Sequence, residues 1–159
     1  DKDGTDTIMT GREPTDAPRG DGGSLCTCFK LRRATRRVTQ IYDRHLQPTG
    51  LRITQYGLLA RLRGGPLHMT ELAERMGMDR TTLTRNLRPL ERMGYLAIDP
   101  GEDKRTRSVA ITAAGRAAAA EALPYWKDAQ ASVRDALGTG LTDDLHGLLD
   151  RAFAGLPAE

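Results

Sequence analysis

The side chains best suited to chemistry in this chain lie in one short stretch, D-R-T-T-L-T-R-N-L-R at positions 79–88. Its leucines, Leu83 and Leu87, recur at a four-residue step, which is typical of a helix that buries one face. The opposite face would present hydroxyl and guanidinium groups, which hydrogen-bond to base edges and phosphates. These groups belong to Arg80, Thr81, Thr82, Thr84, Arg85 and Arg88. The stretch therefore predicts a helix that lies in a DNA groove.

A second basic group follows, between two runs of alternating apolar and polar residues. The runs, Tyr95 to Asp99 and Thr106 to Thr112, are separated by the polar turn Pro100-Gly101-Glu102-Asp103, so we expect a β-hairpin. Lys104, Arg105 and Arg107 would lie at or near its tip. An arginine on a hairpin of this length can enter the minor groove, where the potential is most negative.

The distribution of charge also favours an anionic partner. The net charge is only +3, yet residues 29–63 carry nine lysine and arginine side chains against Asp43 alone, a net of +8. Arginine keeps its charge and forms paired hydrogen bonds to phosphate, so double-stranded DNA is the expected partner. A solvated helix face is the alternative interpretation of such a run.

The spacing of apolar residues predicts the helices that would position these groups. We expect one long helix from Ser24 to about Gln47, and a second that Thr54 caps and that stops at Gly64. Thr70 should cap a compact helix from Glu71 to Met76, Gly77 should turn the chain, and Asp79 should cap a helix to about Arg92. Thr112 should cap a long helical region, Ala113 to Leu137, in which Pro124 causes a kink or a break, and a final helix should run from about Thr142 to Ala154.

Several classes of protein are disfavoured. Residues 1–23 have almost no apolar content and predict a flexible tail. No apolar run approaches the roughly 20 residues of a membrane-spanning helix, and Cys26 and Cys28 are too close to close a long loop, so a cytoplasmic protein is expected. The chain lacks a nucleophile–base–acid arrangement and a glycine-rich phosphate loop, so we expect neither an enzyme nor a cofactor. His45, His68 and His146 fall on separate elements, which disfavours a metal site.

The order of helix, tight turn, helix and hairpin is that of a winged helix-turn-helix. Three stretches resemble the MarR family (multiple antibiotic resistance regulators): M-T-E-L-A-E-R-M-G-M, T-L-T-R-N-L-R-P-L-E-R-M-G-Y-L and D-P-G-E-D-K-R-T-R-S-V-A-I-T-A-A-G. The third is the most specific, because the family's wing has the pattern D-x-R followed by a strand and L-T-x-x-G. Here Asp103, Arg105 and residues 111–115 match it, with Ile in place of Leu. The resemblance extends from about Leu25 to Phe153.

The resemblance implies a mainly α-helical fold with a small β-hairpin wing. It implies a DNA-binding lobe at residues 51–112, and a helical dimerisation region at 24–50 and 113–155. It further implies an obligate homodimer on a pseudo-palindromic operator, with Arg105 in the minor groove and Asp103 orienting it. The expected DNA contacts are Thr70, Arg80, Thr81, Thr82, Thr84, Arg85, Arg88, Asp103, Lys104, Arg105 and Arg107. A winged helix that contacts another protein and not DNA is the competing interpretation.

Two kinds of effector remain open. Many members of the family bind a small aromatic or phenolic acid, and the cleft would here be lined by Arg32, Tyr42, His45 and Tyr56. The segment from Cys28 to Tyr42 instead resembles the first helix of the organic hydroperoxide-sensing branch, in which the cysteine is oxidised. Fourteen residues of straight helix separate Cys28 from Tyr42, so they would have to meet across a dimer. A helix N-terminus and Arg32 favour the thiolate form of Cys28, although a free cysteine is more often a small apolar residue at an interface.

Overall fold

A computed structural model describes residues 26–100 and 107–157 of the chain. The chain divides into two units, residues 1–34 and 35–159. In the first unit, the described residues 26–34 contain the start of the first helix, and all of them are exposed. The predicted tail at 1–23, together with Asp103, Lys104 and Arg105, lies outside the described residues.

The elements occur in the predicted order. The helices are α1 Thr27–Leu46, α2 Ile53–Leu62, α3 Met69–Met76, α4 Arg80–Arg92, α5 Ala113–Leu137 and α6 Thr139–Gly155, with a 3-10 turn at Gln47–Thr49. The strands are β1 Leu67–His68, β2 Leu96–Asp99 and β3 Ser108–Ile111. This arrangement confirms the mainly α-helical winged helix-turn-helix.

The three strands form one antiparallel sheet in the order β1-β3-β2. Leu96 pairs with Ile111, as expected for the hairpin, and Leu67 pairs with Val109. The third strand, β1, was predicted only as a short extended segment. It is two residues long and pairs with a strand some 40 residues later in the chain, so no local pattern could indicate its partner.

The core of the second unit lies between α2, α4 and the sheet. The largest side chains without exposed surface are Leu46, Leu58, Leu59, Leu62, Leu72, Leu83, Leu87, Leu90 and Val109. Because three of these leucines belong to α4, burial of the apolar face fixes the rotation of that helix about its own axis. Its opposite face therefore points to solvent.

The predicted N-cap of α2 is wrong. The helix begins at Ile53, with Arg52 at the N-cap position. The carboxylate of Asp43 accepts the Ile53 N–H at 2.8 Å, and the side chain of Gln55 accepts the Arg52 N–H at 2.9 Å. Side chains other than Thr54 thus satisfy the first donors of the helix, and one of them comes from the preceding helix.

The predicted N-cap of α3 is also wrong. The helix begins at Met69, so Thr70 is its second residue. The Met69 N–H donates to the Arg107 carbonyl at 3.0 Å, which continues the pairing of β1 with β3. Contact with the sheet therefore starts this helix.

Helix α5 has the predicted bounds, Ala113–Leu137, and the predicted cap at Thr112. Thr112 accepts the Gly115 N–H at 3.0 Å, donates its hydroxyl to the Gly94 carbonyl at 2.6 Å, and donates its N–H to the Tyr95 carbonyl at 3.1 Å. The helix continues through Pro124 to Leu137 as one element, so of the two predicted effects of the proline, a kink or a break, the break does not occur. A single proline removes one backbone donor, which a helix of 25 residues can tolerate.

Helix α6 begins three residues earlier than predicted, at Thr139. Gly138, with φ of 79°, ends α5 and precedes α6. The hydroxyl of the buried Thr142 donates to the Gly138 carbonyl at 2.8 Å, so Thr142 lies in the first turn of the helix.

Candidate nucleic-acid interface

The start of α4 is fixed by Gly77 and Asp79. Gly77 adopts the left-handed conformation, with φ of 60°, and turns the chain from α3 towards α4. Asp79 accepts the hydroxyl of Thr82 at 2.6 Å and the Thr82 N–H at 2.8 Å. The hydrogen bond from the Thr82 hydroxyl has the larger effect, and together the two bonds lower the pKa of Asp79 below its ordinary value. The predicted cap of α4 is therefore confirmed.

The exposed face of α4 carries the predicted groove residues. A shallow, open hollow of about 390 Å³ is lined by Arg80, Thr81, Thr84, Arg85 and Arg88. Positions 80, 84 and 88 are about one helical turn apart, and positions 81 and 85 lie beside them, so all five are on one side of the helix. Leu83, Leu87 and Leu90 lie on the other side, in the core.

This face carries uncompensated positive charge. Arg85 and Arg88 are exposed, and neither has an acidic partner within residues 26–100 and 107–157. Arginines that are not paired within the protein can donate to phosphate oxygens or to guanine in the major groove. The face can therefore bind a polyanion.

The three threonines of α4 differ in a way that their sequence does not show. The Thr82 hydroxyl donates to Asp79, and the Thr84 hydroxyl donates to the Arg80 carbonyl at 2.8 Å. Thr81 is exposed, and its hydroxyl has no hydrogen bond in the described parts of the chain. Thr82 thus belongs to the cap of the helix, whereas Thr81 and Thr84 line the hollow.

Sequence reasoning missed one residue near this face. The side-chain amide of Asn86 donates to the Thr82 carbonyl at 3.0 Å and contacts the sulfur of Met78 at 3.6 Å. It therefore connects the turn before α4 with the body of the helix. The D-x-x-T-x-x-x-N spacing is compatible with such a contact but does not require it.

The remaining predicted DNA contacts are placed only in part. Arg107 is exposed directly before β3, and Thr70 is exposed in the first turn of α3. Asp103, Lys104 and Arg105 fall in the segment 101–106, outside the described residues, so their positions at the wing stay predictions.

The candidate effector residues of the second unit lie on α1 and α2. The ring of Tyr56 is buried and stacks on Trp126 of α5, with 5.9 Å between ring centroids. The side chain of His45 is hydrogen-bonded to the Ser132 hydroxyl at 3.0 Å. Tyr42 is half-buried, and burial raises its pKa. Burial also raises the pKa of Tyr56, although the nearby charge of Arg63 acts in the opposite direction.

The candidate redox residues belong to the first unit. Cys26 and Cys28 are exposed and are not joined in a disulfide. The sulfur of Cys26 accepts the Phe29 N–H at 3.4 Å at the start of α1, and Arg32 is exposed one turn after Cys28. Both thiols are thus accessible to solvent.

Other kinds of site have no support in the described part of the chain. Residues 26–100 and 107–157 contain no group of three His, Cys, Asp or Glu side chains that could hold a metal ion. Within the same ranges no helix is both long and apolar enough to cross a membrane.

Comparisons with known proteins agree on one family. The sequence profile described as the MarR family matches residues 49–106. An uncharacterized HTH-type transcriptional regulator of Bacillus cereus is 31% identical over 108 residues, which cover 67% of this chain and 72% of that protein. The regulator YwoH of Bacillus subtilis is 30% identical over 84 residues, which cover 52% of this chain and 61% of that protein. The M. tuberculosis transcriptional regulator MosR in complex with DNA is 41% identical, with a TM-score of 0.70 over 81% of this chain and 97% of that one.

Proposed function

This chain belongs to the MarR family of DNA-binding transcriptional regulators, and from that premise we propose that it is a repressor that binds a pseudo-palindromic operator as a homodimer. Residues 51–112 form the DNA-binding lobe, and residues 24–50 and 113–155 form the dimerisation region. One α4 from each protomer enters the major groove of each half-site, and the wings contact the adjacent minor grooves. Arg105, oriented by Asp103, is the minor-groove contact, and Thr70, Lys104 and Arg107 bind the flanking phosphates.

The observation that carries this proposal is the exposed face of α4. Arg85 and Arg88 lie on it without acidic partners in the described ranges, while the leucines on the other side hold the helix against the core. Two exposed guanidinium groups on one helix face match the acceptors of phosphates and guanine.

The test is the affinity of the purified protein for the DNA upstream of its own gene, followed by fluorescence anisotropy at several salt concentrations. We expect Arg85→Ala and Arg88→Ala each to weaken binding by about 1–3 kcal/mol if the arginine contacts a base. If the arginine contacts a phosphate, the negative slope of log K against log salt should become less steep by about 0.9. Arg61→Ala is the matched control, because Arg61 donates to the Gly57 carbonyl of its own helix.

The competing function is a winged helix that contacts another protein. In that case the wild type would bind operator and random DNA equally weakly, and Arg85→Ala, Arg88→Ala and Arg105→Ala would behave like Arg61→Ala. That set of results would contradict the proposal of an operator-binding repressor.

The effector we propose is a small aromatic acid that binds near Tyr42, His45 and Tyr56. Tyr42 and Trp126 are half-buried, and the ring of Trp126 is held by stacking on the buried Tyr56, so Tyr42 and Trp126 offer aromatic surface to a ligand. Binding would change the separation of the two α4 helices, which must match half-sites one helical turn apart.

Trp126 is the only tryptophan of the chain, so its fluorescence reports on this site directly. Titration with benzoate and salicylate should change the emission of Trp126 and release the operator in the same concentration range, and Tyr42→Ala should weaken both effects. An emission that stays constant while the operator is released would place the effector elsewhere. Equal separation of the half-sites in free and effector-bound protein would contradict the proposed mechanism.

A second candidate effector is an organic hydroperoxide, and the exposure of both thiols favours it. The Cys28 thiolate would attack the terminal oxygen of the hydroperoxide and form an S–O bond as the O–O bond breaks. The hydroxyl group passes to sulfur as a sulfenic acid, and the alkoxide takes a proton from solvent and leaves as the alcohol. Wild type should then leave the operator on addition of cumene hydroperoxide, whereas Cys28→Ser should stay bound and Cys26→Ser should still respond. Release of both wild type and Cys28→Ser would exclude Cys28 as the sensing residue.

A further inference from the structure

Thr84 lies at the centre of the exposed face of α4. Arg80 and Arg88 are four residues before and after it, Thr81 is three residues before it, and all of them line the same hollow. In a helix, neighbours three and four positions apart lie one above the other on the same side. A base edge that enters between the arginines therefore meets the side chain of Thr84.

The hydroxyl of Thr84 has only acceptor capacity left. Its proton is donated to the Arg80 carbonyl at 2.8 Å, whereas the hydroxyl of Thr81 has no partner in the described ranges. A hydroxyl group has one donor and two acceptor lone pairs. Rotation of the proton towards a base would give up the bond to Arg80. Thr84 therefore presents an oxygen with free lone pairs, together with its methyl group.

We propose that Thr84 determines sequence specificity by accepting a hydrogen bond from an exocyclic amino group in the major groove, N6 of adenine or N4 of cytosine. The proposal rests on the proposed function, in which α4 lies in that groove. These amino groups are the hydrogen-bond donors of the major-groove edge, while guanine N7 and O6 and thymine O4 are acceptors. An acceptor-only oxygen discriminates against the acceptors and leaves them to Arg85 and Arg88.

The test begins with selection of bound duplexes from a random pool, which gives the operator. At each adenine or cytosine of a half-site, the base is then replaced by purine or 2-pyrimidinone, which lack only the exocyclic amino group. Affinities are measured for the wild type, Thr84→Ser and Thr84→Val. Serine keeps the acceptor and loses the methyl group, and valine keeps the methyl group and loses the acceptor.

We expect one position at which removal of the amino group weakens wild-type and Thr84→Ser binding by roughly 3- to 10-fold, the range of one net hydrogen bond. Thr84→Val should bind the two duplexes equally. The position at which this occurs identifies the base as adenine or cytosine. Thr54→Val is the matched control, because Thr54 is also half-buried on a helix but lies outside the exposed face of α4, and it should keep the wild-type pattern. Circular dichroism checks that each variant is folded.

Discrimination that Thr84→Val retains at every position overturns the proposal. Loss of discrimination in Thr84→Ser also overturns it, since serine keeps the acceptor oxygen and the preference would then depend on the methyl group. If the wild type selects no sequence at all from the pool, the proposed function itself fails. If instead an operator is selected but its binding does not depend on Thr84, only the proposal about Thr84 fails.

Discussion

Asp79 makes the start of α4 sensitive to acid. Its pKa is lowered by hydrogen bonds from Thr82, so the folded state favours the carboxylate more than the unfolded state does. The resulting stability is fully present above the ordinary pKa of aspartate, about 3.9. It is lost as the pH falls through the lower pKa of the folded protein.

Asp79→Asn tests this effect, because asparagine is also a good N-cap but does not titrate. We expect the wild type to lose stability relative to Asp79→Asn as the pH is lowered from about 5 to 3. The measurement is urea unfolding followed by circular dichroism at each pH. A stability difference that does not change with pH would show that the cap does not depend on the charge of Asp79.

Gly115 shows a different constraint at the residue scale. A Cβ atom at this position would overlap the carbonyl oxygen of Tyr95 and lie 2.9 Å from Cγ1 of Ile111. Because a backbone carbonyl cannot move aside without shifting the end of the sheet, we expect Gly115→Ala to destabilise the protein by about 3 kcal/mol. Thermal unfolding measures this loss.

Gly57→Ala is the control for that substitution. Gly57 also lies in a helix, but a Cβ there would meet only the Arg61 guanidinium at 3.6 Å, an ordinary contact. This variant should be as stable as the wild type or more stable, by up to about 1 kcal/mol, since alanine is the better helix former. If both glycine variants are equally stable, the close approach at Gly115 is relaxed in solution.

At the scale of elements, α5 contains a proline without ending at it. Pro124 is exposed in a helix that continues from Ala113 to Leu137. Pro124→Ala should therefore stabilise the protein by about 1–3 kcal/mol, since alanine restores a backbone donor and removes a clash with the preceding turn. The unfolding midpoint in urea reports the gain. A lower midpoint would indicate that the packing of α5 requires the proline.

The boundaries of elements could be predicted where their causes are local. The leucines of α4 and its cap at Asp79 follow from helical periodicity and the preference of aspartate for the N-cap. The start of α3 could not be predicted, because a hydrogen bond from Met69 to Arg107 determines it. The start of α2 depends in the same way on Asp43, ten residues earlier.

The candidate site could be predicted from the sequence to a similar extent. The helix, its exposed face and its arginines follow from residue types and their spacing. The separate roles of Thr82 and Thr84 depend on side-chain rotamers that place one hydroxyl on Asp79 and the other on a backbone carbonyl. Both rotamers are compatible with the same sequence pattern, so the pattern alone assigned the two threonines to one role.

At the scale of the whole molecule, α6 exposes several large apolar side chains to solvent. Leu141, Leu148, Leu149 and Phe153 of α6 and Leu156 directly after it are exposed, with fractions from 40% to 67%. Large exposed apolar patches mark protein interfaces, which supports the proposed homodimer. Sedimentation equilibrium should give twice the 17.4 kDa mass of one chain.

Leu148→Asp tests the same surface. We expect it to yield monomers and to lower operator affinity by about 100-fold, because one lobe then binds without the linked second lobe. Asp144→Ala, at another exposed position of α6, should remain dimeric. A monomeric wild type that still binds the full operator tightly would contradict the dimer proposal.

The three hydrogen bonds of Thr112 have a mechanical consequence. Two of them join Thr112 to Gly94 and Tyr95, shortly after the end of α4, and the third, from Gly115, caps the first turn of α5. If an effector tilts α5, the displacement should reach α4 at its C-terminal end, with the Asp79 end as the pivot. The hydrogen-exchange rates of the Gly94 and Tyr95 amides should then change more on effector binding than the rate of the Thr82 amide. Equal changes along the whole of α4 would contradict a pivot at its Asp79 end. Motion of the dimerisation region would thus reach α4 through its C-terminal end.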